Sequence, residues 1–71
     1  MTDEEKLEML AEAMDVDAGD LSMEDKLADN EAWDSLSMLA FMASVSSKCK
    51  KKITPGELSA AVTVRDALNL I

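Results

Sequence analysis

Near the start of the chain Leu7, Leu10, Ala11 and Met14 fall at i, i+3, i+4 and i+7, an apolar stripe with the period of an α-helix. Thr2 stands before it and Glu5 three residues on, so hydroxyl and carboxylate can cap the helix reciprocally. Asp3, Glu4 and Glu5 add negative charge where the macrodipole favours it. The pattern predicts a helix over about 3–14. From Asp15 to Trp33 it dissolves. Gly19 and the scattered aspartates read as a long structured loop, with one helical turn after Ser22 and with Met23, Leu27 and Trp33 as its anchors. Loops longer than about 12–15 residues are uncommon in compact domains and are often functional.

A second helix is predicted from Ser35 to Lys48, with Asp34 as N-cap. Leu36, Leu39, Met42, Ala43 and Val45 read as its inward face, with Phe41 nearby; Ser37, Ala40, Ser44 and Ser47 read as its outer side. Lys48, Lys50, Lys51 and Lys52 gather at its C-terminal end, where cations complement the dipole. Thr54-Pro55-Gly56-Glu57 is another capping box, with Pro at the first helical position, and starts a short helix ending near Ala61. Thr63 with Asp66 opens a last helix through Leu70, striped by Val64, Ala67, Leu68 and Ile71. The expectation is an all-α fold: a small four-helix bundle with a long loop between helices 1 and 2 and a short helix 3.

Composition agrees. Ala, Leu, Met, Glu and Lys are strong helix formers, and only two aromatics, Trp33 and Phe41, are present. Seventy-one residues suit one domain, 1–71, which buries only about 60% of its unfolded surface and has no room for a large catalytic cleft. The chain has no His, the commonest general base, so an enzyme is not expected. Its single Cys makes no internal disulfide, which fits a reducing, cytoplasmic setting. No apolar run approaches the ~20 residues that span a membrane. The acidic start, Met1 to Lys6, is unlike a secretory signal.

The net charge of −8 is unevenly spread: residues 1–34 hold thirteen acids and two lysines, while residues 35–71 hold five bases and two acids. The acidic half argues against nucleic-acid binding and suits docking on basic surfaces. A monomer is expected.

Candidate chemistry centres on Asp34 and Ser35. A serine at a helix N-terminus lies beside unsatisfied N–H groups and the positive dipole end, which suits a phosphate, and Asp34 supplies a hard oxygen of the kind Mg²⁺ prefers. Read from these residues alone, both are equally ordinary capping residues. Other chemistry fails. Counted from Asp15, a calcium loop would place Asp20 and Lys26 where Gly and Glu are needed. Cys49 lacks a His to activate it, and its spacing from Met42 and Val45 fits a helix-face core position. Ser35 as a hydrolase nucleophile lacks a base. The methionines, six in number, read as flexible core filler.

Trp33-Asp34-Ser35-Leu36-Ser37, where the long loop meets the second helix, resembles the acyl carrier protein family, whose signature at this junction is Asp-Ser-Leu. The resemblance extends to chain length, the acidic first helix, the long loop, Ile53-Thr54-Pro55 before the third helix and Thr63-Val64 at the last. It implies that Ser35 takes 4′-phosphopantetheine from coenzyme A through a phosphopantetheinyl transferase, that the arm's thiol carries an acyl thioester, and that Asp34 helps hold Mg²⁺. It also implies that Leu36, with Met38 beside it, contacts partner ligases or synthases, and that the methionines line a pocket for an acyl chain. One departure stands out. Family members mostly carry acids along the exposed face of the second helix; here Ser37, Ala40, Ser44, Ser46 and Ser47 occupy that stretch, and Leu36, Met38 and Ala40 make it more apolar. That departure implies dedicated partners rather than general fatty acid synthase enzymes with basic docking patches. A peptidyl or aminoacyl carrier, and an unmodified helical interaction module, are the competing readings.

Overall fold

The computed structural model describes residues 1–71. Helix α1 spans Asp3–Met14 and starts as the sequence predicts, with Thr2 Oγ1 accepting from Glu5 N at 3.2 Å and Glu5 Oε1 accepting from Thr2 N at 3.1 Å. It ends at Asp15, whose left-handed φ of 59° an aspartate tolerates, and Val16 N–H closes back on the Ala11 carbonyl at 3.0 Å. Met9, Leu10, Ala11 and Met14 are buried and Leu7 is half-buried. Met9 joins the buried set because α1 packs on α2 (Ser35–Cys49), on α4 (Val64–Leu68) and on a 3₁₀ turn at Ala18–Asp20, which widens its apolar face.

The loop between α1 and α2 holds that 3₁₀ turn and a second at Leu27–Asp29; between them Ser22 and Asp25 form a plain turn where one helical turn was expected. Leu27 is buried as expected, Met23 and Trp33 are half-buried, and Leu21 is a further buried anchor. The loop is tied to the approach to α4. Leu27 N donates to Val62 O at 2.9 Å, Val64 N to Asp25 O at 2.9 Å and Arg65 N to Met23 O at 3.0 Å. Two amides of α4's first turn, which a helix cannot satisfy internally, are thus taken by loop carbonyls.

Helix α3 covers Pro55–Ala60 behind the Thr54/Glu57 capping box, and α4 opens with the Thr63/Asp66 box. α4 stops at Leu68, two residues before the expected end, and Leu70 and Ile71 continue as turns on Ala67 and Leu68. Phe41, Leu10, Leu27, Leu58, Val45 and Val64 are the largest fully buried side chains, so all four helices and the long loop reach one core. The four helices, short α3 included, and the long first loop are as expected. No helix is long and apolar enough to cross a membrane.

The expected inward face of α2 is corrected. Leu36 and Leu39 are 76% and 59% exposed and Ala43 is exposed, whereas Ser37, Phe41 and Val45 are buried and Met38, Met42 and Cys49 half-buried. At about 100° per residue, positions 39 and 41 point nearly opposite ways, so one buried stripe cannot hold both. The aromatic ring has the larger apolar surface to remove from water, and its burial fixes the rotation of the helix.

Candidate functional site

Ser35 is the first residue of α2 and is exposed. Its placement follows from the residues on either side of it. Asp34 is the extended N-cap, with φ −140° and ψ −173°. Its Oδ1 accepts from Ser37 N at 3.0 Å, while the Ser37 hydroxyl accepts from Asp34 N at 2.8 Å. The same hydroxyl lies 2.7 Å from the Ala32 carbonyl, the nearest acceptor for its one proton; Asp34 O at 3.1 Å and Asp34 Oδ1 at 3.0 Å are alternatives for it. Upstream, Ala32 N donates to Asn30 Oδ1 at 2.9 Å and Trp33 N to Asn30 O at 3.0 Å. The last residues of the loop are therefore locked to the first turn of α2 before Ser35 is reached.

Within this frame the Asp34 carboxyl is held below the usual carboxylate range, first by the backbone N–H of Ser37 and then by its hydroxyl, and is anionic at neutral pH. Asp34 Oδ1 carries the cap bonds and Oδ2 makes none within the chain. The first intrahelical bond runs from Met38 N to Asp34 O at 3.0 Å, so the amides ahead of it lie at the helix's positive end beside Ser35. An exposed hydroxyl beside first-turn amides fits a phosphodiester. Alongside it opens an apolar cleft of about 240 Å³ lined by Ser35, Met38, Leu39, Met42 and Pro55, bounded by α2 and the first residue of α3. A larger hollow of about 550 Å³ lies at the far end of α2, lined by Met1, Glu5, Lys6, Lys48, Cys49, Lys51 and Ile71, away from Ser35.

Asp34, Ser35, Leu36 and Met38 thus converge on one end of α2 but face differently. Leu36 stands out into solvent, while Met38 is half-buried in the cleft wall beside Ser35. The exposed positions Leu36, Leu39, Ala40, Ala43, Ser46 and Ser47 are all uncharged, and α2 carries no acid between Ser35 and Cys49. Lys48 reaches Glu12 of α1 at 3.9 Å, an exposed pair of little energetic weight. The chain has no His, and the titratable group adjoining the Ser35 hydroxyl in sequence is the Asp34 carboxylate.

Sequence reading missed Ser37 as a site residue; the signal was a serine at the third helical position after an Asp cap, a shorter form of the Glu/Gln capping box. The expected methionine-lined pocket has its counterpart in a cleft walled by Met38 and Met42; the unexpected member is Leu39, which the sequence pattern puts in the core.

The family model described as phosphopantetheine attachment site matches residues 7–71. No curated protein and no solved structure gives a match.

Proposed function

We propose that this chain, which belongs to the phosphopantetheine-attachment family, is an acyl carrier protein and that Ser35 is the residue that receives the arm. Membership makes it a carrier of covalently attached 4′-phosphopantetheine. The observation that carries the assignment to Ser35 is its position: an exposed hydroxyl, engaged in no hydrogen bond of the chain, at the positive end of α2 and on the lip of an apolar cleft.

The neighbouring residues support roles around that attachment. Asp34, anionic and with Oδ2 free, offers one oxygen ligand to Mg²⁺. No group of three or more His, Cys, Asp or Glu side chains that could hold a metal exists in the chain, so the remaining ligands come from coenzyme A, water and the transferase. Leu36 offers partner enzymes an apolar anchor, and Met38, Leu39 and Met42 give the first part of an acyl chain a wall to lie against. The chain functions as a single, non-catalytic domain over residues 1–71, a monomer in a reducing cytoplasmic compartment, as its one free Cys suggests.

The uncharged face of α2 supports a specialised acyl pathway with a dedicated ligase or synthase, because it offers nothing to a basic docking patch. Exchange of a labelled acyl group with general fatty acid synthase components tests this: inefficient loading is expected, and efficient loading and elongation refute it. The attachment itself is tested by intact mass after incubation with coenzyme A, Mg²⁺ and a broad-specificity phosphopantetheinyl transferase, beside Ser35→Ala. Wild type is expected to gain one phosphopantetheine and Ser35→Ala none. No gain in folded wild type, with a known carrier modified in parallel, leaves Ser35 a capping residue of an interaction module.

A further inference from the structure

Ser37 is the one buried polar residue of the chain, 5% exposed, and its hydroxyl both donates and accepts. A hydroxyl has one proton to give and two lone pairs. Here the proton meets Ala32 O at 2.7 Å and a lone pair receives Asp34 N at 2.8 Å. The other helices show what an N-terminus needs. α1, α3 and α4 each close a capping box with a Glu or Asp at the third helical position, which accepts the cap amide and gives nothing back. Only α2 closes its box with a residue that also donates, and the nearest acceptor for its proton is a carbonyl of the incoming loop, Ala32 O at 2.7 Å, ahead of the cap's own oxygens at 3.0 and 3.1 Å. The extra bond is unnecessary for ending a helix. It spans from residue 32 to residue 37 and so braces the backbone on both sides of Asp34 and Ser35.

We infer that Ser37 is a positioning residue for transfer onto the neighbouring serine: it clamps the loop end to the first turn of α2 so that the Ser35 hydroxyl and the free Oδ2 of Asp34 are presented in one fixed geometry. The inference rests on Ser35 as the attachment site. A reacting hydroxyl displaced by about 1 Å can lose as much as 100-fold in rate, because the gain from orientation is spent before chemistry begins. Leu36 and Leu39 are exposed, and none of the hydrogen bonds of the Ser37 side chain involves them. Loss of the Ser37 hydroxyl therefore acts on turnover rather than on recognition.

The experiment is steady-state phosphopantetheine transfer by a broad-specificity transferase, with coenzyme A and Mg²⁺ saturating and this chain as varied substrate. It compares wild type, Ser37→Ala, Ser37→Thr and, as an exposed control on the same helix, Ser46→Ala, at a temperature where circular dichroism shows each folded. Ser37→Ala is expected to lower kcat about tenfold with KM within about twofold, and Ser37→Thr, which keeps donor and acceptor, to recover most of the loss. If Ser37→Ala does not fold, Ser37→Cys takes its place: it is close in size and fills the site without adding a charge beside Asp34, but its thiol is too weak a donor to hold the Ala32 carbonyl. Unchanged kcat in the variant lacking the hydroxyl, a change confined to KM, or a folded Ser37→Thr as slow as that variant overturns the inference. Wild type that takes no phosphopantetheine while a control carrier does overturns instead the assignment of Ser35.

Discussion

α1 and α2 pack on each other, yet they separate inside from outside by different means. On α1 the polar positions are charged: Asp3, Glu4, Glu5, Lys6, Glu8 and Glu12 surround the buried Met9, Leu10, Ala11 and Met14. A charge costs so much to desolvate that this helix has one permitted rotation. α2 has no charge before Lys48, and large apolar residues lie on both of its sides. Its rotation is set by Phe41 at the centre and by the Asp34–Ser37 box at the start, and the surplus apolar surface, Leu36 and Leu39, is left in water. In the proposed function the exposed leucines beside the exposed hydroxyl are the face that meets partner enzymes, whereas the face of α1 is charged throughout.

That contrast can be broken most forcefully at α2. Phe41→Ala is expected to cost about 3–5 kcal/mol, much of the stability of a domain this small, whereas Leu39→Ala two residues earlier should stay within about 0.5 kcal/mol. Chemical denaturation of the two variants measures both, and comparable losses would mean that α2 buries the other face. A smaller effect is expected at the start of α1, where Thr2→Ala removes one half of a capping box at a cost of about 1 kcal/mol. Helicity lost by that variant should come from α1 alone, as amide exchange resolved by residue can show.

The finest distinction is titration. Glu5 at α1, like Asp34 at α2, is held below the usual carboxylate range, in its case by the backbone N–H and then the hydroxyl of Thr2. A carboxyl lowered in the folded state binds fewer protons there than in the unfolded chain, so its contribution is complete above the unfolded value of about 4.3 and disappears as pH falls through the folded one. Wild type should therefore melt above Glu5→Gln near about pH 6, and the gap should close towards about pH 3. A gap that persists at low pH would mean that Glu5 acts by packing rather than by charge.

The same contrast explains what was legible beforehand. The boxes Thr2/Glu5, Thr54/Glu57 and Thr63/Asp66 are local, three residues long in their logic, and each begins a helix where expected. The junction Asp34-Ser35-Leu36 was legible as a motif, and the structure adds its geometry. The buried face of α2 was not legible, because leucines and a phenylalanine compete for one stripe and only the packed partners decide between them. Ser37 was read as a solvent-facing residue for the same reason, and its partner Ala32 lies across a loop whose path depends on Leu21 and Leu27 reaching the core. Sequence periodicity carries no information on such non-local bonds.

The hydrogen bonds from Leu27, Val64 and Arg65 that join the first loop to the start of α4 act as a buckle. Opening it strips α4 of two first-turn partners at once, so loop and helix should come apart as one cooperative unit although about 40 positions separate them along the chain. One end of the belt is thereby fastened to α4 and the other, through Ser37, to α2. In the proposed carrier the arm then swings from an anchorage that stays still, and its reach is governed by its own torsions rather than by any sway of the domain beneath it.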